Sequence, residues 1–196
     1  MEFFIERWLD ITTTILGLAY IILEYKASIW LWAVGFAMQI LGIVLYYQKG
    51  LYADCGMEFY YLAMTIYGWW NWIAPEAPSG SPKAESVPIT HFPIRLAMIW
   101  TIVTLTAWGL LYWFLVSCTD SRVPIADSFT TALSFVGIWA LARKYLEQWI
   151  IWIVVDVVTC VLYFYKDIPF KASLYALYVV IAVFGYFRWH RLMTSK

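Results

Sequence analysis

Charge is scarce in this chain. Only 13% of its 196 residues are Asp, Glu, Lys or Arg, 13 acidic against 13 basic. Ordinary soluble domains carry about 25%. So little polar surface cannot wrap a water-soluble globule, and most of the exterior must face lipid. Zero net charge gives no reason to expect a nucleic-acid partner. Histidine occurs twice (His91, His190) and cysteine three times (Cys55, Cys118, Cys160). Their spacing fits no metal site and no disulfide framework, so neither metal nor cofactor is expected. The thiols read as small packed hydrophobes. No GxxxxGK[ST] loop, HExxH pair or paired-aspartate motif is present, and no histidine lies within an apolar run. An intramembrane enzyme would need such a nucleophile–base pair or metal cluster, so the chain is read as a non-enzyme. The N-terminus (Met1, Glu2, Glu6, Arg7) lacks the basic segment of a signal peptide, and no cleavage is expected.

What is abundant is apolar and aromatic. Hydrophobic residues make up 63% of the chain and aromatics 20%. Seven apolar runs of helical length cover residues 11–23, 29–47, 57–72, 96–116, 129–142, 149–165 and 174–187. A span needs roughly 20 such residues, fewer where aromatic ends reach the interface. Only helices or closed barrels satisfy the backbone in lipid, and these runs are continuous rather than alternating, which selects helices. All seven prolines fall between runs or at their edges, as expected of span boundaries. The longest connection, 74–93, contains APEAPSGSPKAESVP and reads as a flexible linker.

The chain also repeats itself. Displaced by 117 residues without a gap, Trp32 falls on Trp149, Val44 on Val161, Tyr46 on Tyr163, Tyr61 on Tyr178, Gly68 on Gly185 and Trp72 on Trp189. Lys26 falls on Arg143 and Lys49 on Lys166. Spans one to three thus match spans five to seven, and span four links them. Four crossings separate matched helices, so the halves point the same way across the membrane. The fold class that follows is an all-α integral membrane protein with seven transmembrane helices, two parallel three-helix repeats joined by a linking helix. Residues 1–73 form the first bundle, 74–124 the linker and helix four, and 125–196 the second bundle. Parallel repeats with a substrate site between the halves are a plan of small-solute transporters.

Lys and Arg in the loops set the orientation. Arg7, Lys49, Arg122, Lys166 and Lys171 lie on one side. Lys26, Lys83, Arg95, Arg143, Lys144, Arg188, Arg191 and Lys196 lie on the other. The richer side is expected in the cytoplasm, which places the N-terminus outside and the C-terminus inside.

Three spans carry polar and aromatic residues at one helical spacing. Span six has Trp149, Trp152, Asp156, Thr159 and Tyr163; span two has Trp32, Gly35, Gln39, Gly42 and Tyr46; span three has Glu58, Tyr61, Thr65, Gly68 and Trp72. Asp156 and its repeat partner Gln39 lie near mid-span, where polar groups usually face the bundle interior or a wet cavity. Glu58 lies nearer a span end. Trp149, Trp152, Asp156, Tyr163, Gln39, Glu58, Trp32 and Tyr46 are the candidate substrate-binding residues. Aromatic faces attract cations and stack on flat rings; the carboxylates add charge, and Gln and Thr add hydrogen bonds. A flat, cationic or polar heteroaromatic solute suits this set. The structural alternatives are specific. Trp30, Trp69, Trp70, Trp72 and Trp189 sit at span ends, as an interfacial belt would. Gly35, Gly42, Gly68 and Gly185 suit close helix packing, and Asp156 or Gln39 could bond across helices. Glu24 beside Lys26 reads as a solvated or headgroup-facing charge.

Trp149 to Arg191, WIIWIVVDVVTCVLYFYKDIPFKASLYALYVVIAVFGYFRWHR, resembles the closing segment of the Pnu vitamin transporters, and GLYADCGMEFYYLAMTIYGWWNW, Gly50 to Trp72, resembles its first-half counterpart. Trp149, Trp152, Asp156, the LYxYK pattern ending at Lys166 and YGWWNW at Tyr67 to Trp72 carry the likeness. The resemblance implies a bacterial inner-membrane facilitator, homotrimeric and SWEET-like in its two three-helix bundles. It would move its solute downhill, and a cytoplasmic kinase not in direct contact would trap the product as a phosphate. Relatives of this kind carry nicotinamide riboside, thiamine or riboflavin. Nicotinamide riboside is the expected substrate; thiamine is the alternative, since Glu58 could pair with its aminopyrimidine. A non-transporting receptor or scaffold is the reading of another class, and buried polar residues matched between the halves argue against it.

Overall fold

A computed structural model places seven helices among the described residues. They are α1 (Glu2–Tyr25), α2 (Trp30–Gln48), α3 (Tyr52–Trp72), α4 (Ile94–Cys118), α5 (Pro124–Ala142), α6 (Gln148–Tyr165) and α7 (Pro169–Thr194). Residues 2–48, 52–73, 87–119, 123–165, 167 and 169–195 are described, with side chains undescribed at 2–11, 13, 14, 52–54 and 170. The 74–86 part of the expected linker, Lys49, Gly50, Lys83, Arg122, Lys166 and Lys196 lie outside them. Pro124 and Pro169 open α5 and α7, where a missing N–H has no intrahelical partner to lose. Pro93 caps α4.

Helices α2, α4, α5, α6 and α7 are long and apolar enough to cross a membrane. At about 1.5 Å per residue, α1 and α3 also exceed the roughly 30 Å hydrocarbon core; they are 24 and 21 residues long. Both carry acidic residues, among them Asp10 and Glu24 on α1 and Asp54 and Glu58 on α3. Helix α4 buries none of its residues and exposes Ile102, Leu110 and Trp113 by about two thirds each. An apolar helix bare on so much of its surface requires lipid as its solvent.

The chain divides into two compact units, Met1–Val87 and Pro88–Lys196. In the first, α2 packs on both α1 and α3. In the second, α6 packs on α5 and α7, and α4 packs on α5. The 117-residue displacement recurs in the geometry of each unit. At the α1–α2 corner, Ser28 N–H donates to Leu23 C=O (3.0 Å) and Ala27 N–H to Glu24 C=O (2.8 Å). At the α5–α6 corner, Tyr145 N–H donates to Ala140 C=O (3.0 Å) and Lys144 N–H to Leu141 C=O (2.9 Å). Ala27 and Lys144 occupy the left-handed position, φ 52° and 57°. Glycine usually takes that place, and another residue there costs on the order of 1 kcal/mol. Both corners accept that cost to satisfy two carbonyls that would otherwise end bare.

Each repeat closes with a tryptophan laid on a glycine. Trp32 of α2 lies against Gly68 of α3, and Trp149 of α6 against Gly185 of α7. A methyl group on Gly185 would sit 2.6 Å from the Trp149 ring; one on Gly68 would run into the Trp32 ring. Trp72 meets Trp32 edge-on (5.4 Å, 88°), and Trp189 meets Trp149 likewise (5.6 Å, 88°). Trp72 and Trp189 are therefore buried packing partners, not the belt residues their span-end positions suggested. The belt reading survives for Trp30 and Trp70, which are 63% and 79% exposed. Two further contacts recur with their partners exchanged. Tyr20 of α1 abuts Gly35 of α2, whereas Trp152 of α6 abuts Gly137 of α5, both at 3.1 Å from the position a Cβ would take. The Cys55 thiol of α3 reaches the Ile43 carbonyl of α2, whereas Cys160 of α6 reaches Ala172 of α7. Equivalent interhelical gaps are filled from opposite sides.

Residues 87–93 correct the flexible-linker expectation. Thr90 pairs with the α5–α6 corner: its N–H donates to Lys144 C=O (3.2 Å) and its C=O accepts from Leu146 N–H (3.0 Å). Glu147 accepts from Phe92 N–H at 2.7 Å and meets His91 Nδ1 at 2.7 Å. The Phe92 ring packs on Trp139 and Tyr145, and Trp100 of α4 adds to the cluster at 4.5 Å from Trp139. A left-handed corner leaves backbone groups unpaired, and this short extended segment takes them up.

Two stability effects follow. Gly68→Ala and Gly185→Ala should each cost about 1–3 kcal/mol by overpacking, read as a lower thermal midpoint of the detergent-purified protein; an unchanged midpoint would remove the tryptophan seat as a structural element. Glu147→Ala should cost about 1.5–3 kcal/mol, chiefly through the Phe92 N–H left without its charged acceptor. The exposed His91 pair adds little, so His91→Ala should shift the midpoint far less.

Candidate functional site

Helix α6 begins directly after the capped corner, which places Gln148, Trp149 and Trp152 in its first turns, Asp156 near its middle and Tyr163 in its last turn. Residues four apart share a face and rise about 6 Å. Gln148, Trp152 and Asp156 therefore form one line about 12 Å long. Asp156 is 7% exposed, with Tyr178 of α7 within electrostatic reach. Trp152 is half-buried, and its indole Nε1 is buried without a hydrogen-bond partner among the described residues. Trp149 is fully buried and its ring is engaged by Gly185 and Trp189. Tyr163 stacks on Tyr175 (5.4 Å, 22°) beneath the Lys171 ammonium, 5.4 Å from the ring centre.

In the first unit, Trp32 is as buried as Trp149 and engaged the same way. Gln39 and Tyr46 are half-buried on α2. Glu58 of α3 lays its carboxyl group on Gly42 of α2: a methyl there would lie 2.6 Å from its Cδ. Thus Glu58 crosses to the neighbouring helix, and its span-end position does not lead it straight to the interface. The α6 line of Trp149, Trp152 and Asp156 belongs to one unit; Gln39, Glu58, Trp32 and Tyr46 belong to the other.

The structure adds residues that the spacing did not single out. Glu24 is 5% exposed, which corrects the solvated-charge reading. It lies one turn from Tyr20, and Tyr20 lies within electrostatic reach of both Glu24 and Tyr61. Thr65 is buried beside Gly35. A polar cluster of α1 and α3 residues therefore flanks α2; the equivalent places Gly137, Leu141 and Ala182 are apolar. Gln148 is fully buried. The repeat offset would have exposed it, since it matches Leu31, but reading the stripe from Trp149 onward passed it over.

Among the described residues, two clefts stand out. One, about 550 Å³, is lined on α2 and α3 by residues including Trp32, Phe36, Thr65 and Trp70. The other, about 460 Å³, lies between α4 and α5–α6. In the second, Thr101 and Thr104 donate to their own helix carbonyls, and Glu147 is engaged with Phe92 and His91. Neither cleft includes Asp156 or Trp152, and both walls are predominantly apolar. Among the described residues no cluster of His, Cys, Asp and Glu could hold a metal ion.

The family profile described as nicotinamide mononucleotide transporter matches residues 7–191. The chain belongs to this family. The riboflavin/roseoflavin transporter RibM of Streptomyces davaonensis is 29% identical over 184 residues, covering 93% of this chain and 84% of RibM. The nicotinamide riboside transporter PnuC of Escherichia coli is 25% identical over 206 residues, with the same two coverages. The crystal structure of a vitamin B3 transporter PnuC superposes with a TM-score of 0.72 at 21% identity, covering 96% of this chain and 83% of that one. That likeness shows the fold, an all-α helical membrane protein, and the family profile shows the transporter family.

Proposed function

We propose that this membrane transporter carries a flat heteroaromatic vitamin into the cell by facilitated diffusion, with nicotinamide riboside as substrate. One observation carries the reading. Trp152 and Asp156 stand one helical turn apart on α6 where the first repeat has Gly35 and Gln39, so an indole whose N–H has no partner among the described residues lies one turn from a buried carboxylate. An indole face and a carboxylate together favour a cationic ring, and nicotinamide riboside is one. A buried carboxylate inside a span is costly unless it serves a polar or charged partner. Gln39, Glu58 and Tyr46 of the first repeat add hydrogen-bonding capacity. Tyr163 closes the far end of the α6 stripe, and Trp32 and Trp149 each hold their own repeat in shape.

Riboflavin is the second reading, favoured by the 29% identity to RibM. Its neutral ring system would use the indole and not the carboxylate. Thiamine, a second cationic heteroaromatic, is the third probe. In this reading the two three-helix repeats move in alternating access, α4 links them, and the protein works as a homotrimer in the inner membrane of a bacterium. The loop charges place the N-terminus outside and the C-terminus in the cytoplasm.

Titration of tryptophan fluorescence with nicotinamide riboside, riboflavin and thiamine tests the substrate, and uptake into vesicles separates transport from a receptor or scaffold role. Trp152→Ala should weaken binding tenfold or more, since stacking on an aromatic side chain contributes about 1–3 kcal/mol. Asp156→Asn should weaken a cationic ligand about tenfold and leave riboflavin nearly unchanged. Full affinity in folded Trp152→Ala protein would remove the indole from the site, and vesicles that take up none of the three would remove the vitamin-transport reading.

A further inference from the structure

Helix α4 packs on α5 and buries none of its own residues. Between it and α5–α6 runs the cleft of about 460 Å³, every wall of which belongs to the second unit. That size is typical of a site for a discrete molecule. The walls change character along its length. At the end next to the α5–α6 corner stand Glu147 and the rings of Phe92 and Trp100. Farther in, the walls are apolar, with Ala97 and Leu105 on one side and Leu133 and Ile151 on the other. Thr101 and Thr104 also line it, but their hydroxyls donate to carbonyls of their own helix at 2.8 and 2.7 Å, which leaves no hydroxyl proton for a ligand.

The chemistry of an occupant follows from that gradient. Among the described lining residues only Glu147 is charged. Its Oε2 accepts from Phe92 N–H and its Oε1 meets the exposed His91 Nδ1, both at 2.7 Å. A carboxylate has about four acceptor sites, so it can take a further donor. A cation there also adjoins two aromatic rings, whose faces attract ammonium groups. The apolar stretch calls for a hydrocarbon tail. Ile94 to Leu105 rises about 16 Å along α4, close to half of a roughly 30 Å hydrocarbon core, which is the depth of one leaflet. Arg95 and Arg143 are exposed at the same end and suit an anionic group next to the cation. The first repeat has Trp30 at the place of Glu147, so the acidic end belongs to the second repeat.

We propose that this cleft binds one membrane phospholipid with a primary ammonium headgroup, phosphatidylethanolamine. The ammonium donates to Glu147 beside Phe92 and Trp100, the phosphate meets the arginines, and an acyl chain fills the groove between α4 and α5–α6. The tail gains little from the groove itself, because the surrounding lipid is equally apolar. Selectivity comes from the charged end, where a charge-assisted hydrogen bond next to an apolar interior is strong. A quaternary ammonium has no N–H to donate, and an anionic headgroup without an amine meets the carboxylate with like charge. The bound lipid braces α4 against α5 and α6. The site is separate from the α6 stripe and does not depend on which vitamin is carried.

The test uses the full-length protein, purified in detergent and stripped of lipid. Dioleoyl phosphatidylethanolamine, phosphatidylcholine or phosphatidylglycerol is added at equal concentration. Native mass spectrometry counts the lipid retained per chain, and the thermal midpoint is read alongside. Wild type should retain a single phosphatidylethanolamine, about tenfold in preference to the other two, and only this lipid should raise the midpoint. Two variants separate the two ends of the site. Glu147→Gln keeps an acceptor for Phe92 N–H and removes the charge; Ala97→Phe fills the groove and leaves the charge in place. Each should lower phosphatidylethanolamine retention to the level of phosphatidylcholine. Equal retention of all three lipids by wild type, or of none, would overturn the proposal without recourse to a variant. A preference for phosphatidylcholine or phosphatidylglycerol would do the same, as would undiminished phosphatidylethanolamine retention in either folded variant.

Discussion

Helix association in lipid gains nothing from hiding apolar surface, because the tails outside are as apolar as the side chains inside. Close contact must do the work. In this chain it comes from an indole ring laid flat on bare helix backbone, Trp32 on Gly68 and Trp149 on Gly185, with a second tryptophan braced edge-on against each. Only glycine lets the ring approach that far. The seat binds α2 to α3 and α6 to α7. It thereby holds each central helix in the rotation that presents its remaining faces. The corner caps at Ala27 and Lys144 set where those helices begin, and the 87–93 segment secures the second corner through Glu147 and Thr90.

Against that common frame the differences between the repeats acquire meaning. Tyr20 and Trp152 fill the same kind of gap from opposite helices, so in the second repeat the large ring stands on the central helix, in line with Gln148 and Asp156. The first repeat places its buried polar groups elsewhere, at Tyr20, Glu24 and Thr65. Duplication supplies a scaffold twice over. Divergence then leaves each copy free to carry polar residues that packing does not require. Family membership sets the class of activity, a membrane transporter, and the relatives at 29% and 25% identity carry different vitamins. The family's fold is therefore shared by carriers of different solutes.

The architecture was legible because lipid imposes a simple rule: a span must be long, helical and nearly free of charge. Seven runs, prolines at their ends and a gapless offset follow from that rule alone, and helix ends differ from the runs mainly where polar turns such as 2–10 and 188–194 extend beyond the apolar stretch. The stripe through Trp149, Trp152 and Asp156 was legible for the same reason, since mid-span polarity is rare. Less legible was the job of each tryptophan. Trp72 and Trp189 share a span-end position with Trp70, yet rotation about the helix axis buries the first two and bares the third. Glu24 reads as solvated and Gln148 carries no signal, because a residue at the end of a span is ambiguous between water and protein until its neighbours are known.

By itself the sequence determined the solvent, the helical class, the duplication and the candidate polar line, because hydrophobic length and periodicity are local properties of a chain. The tertiary structure alone decided which aromatic rings are engaged in packing and which are not, and that residues 87–93 clasp a helix corner. It also decided that Glu24 and Gln148 are buried. These depend on which residue of another helix stands within a few ångströms, and spacing along one chain does not encode that distance.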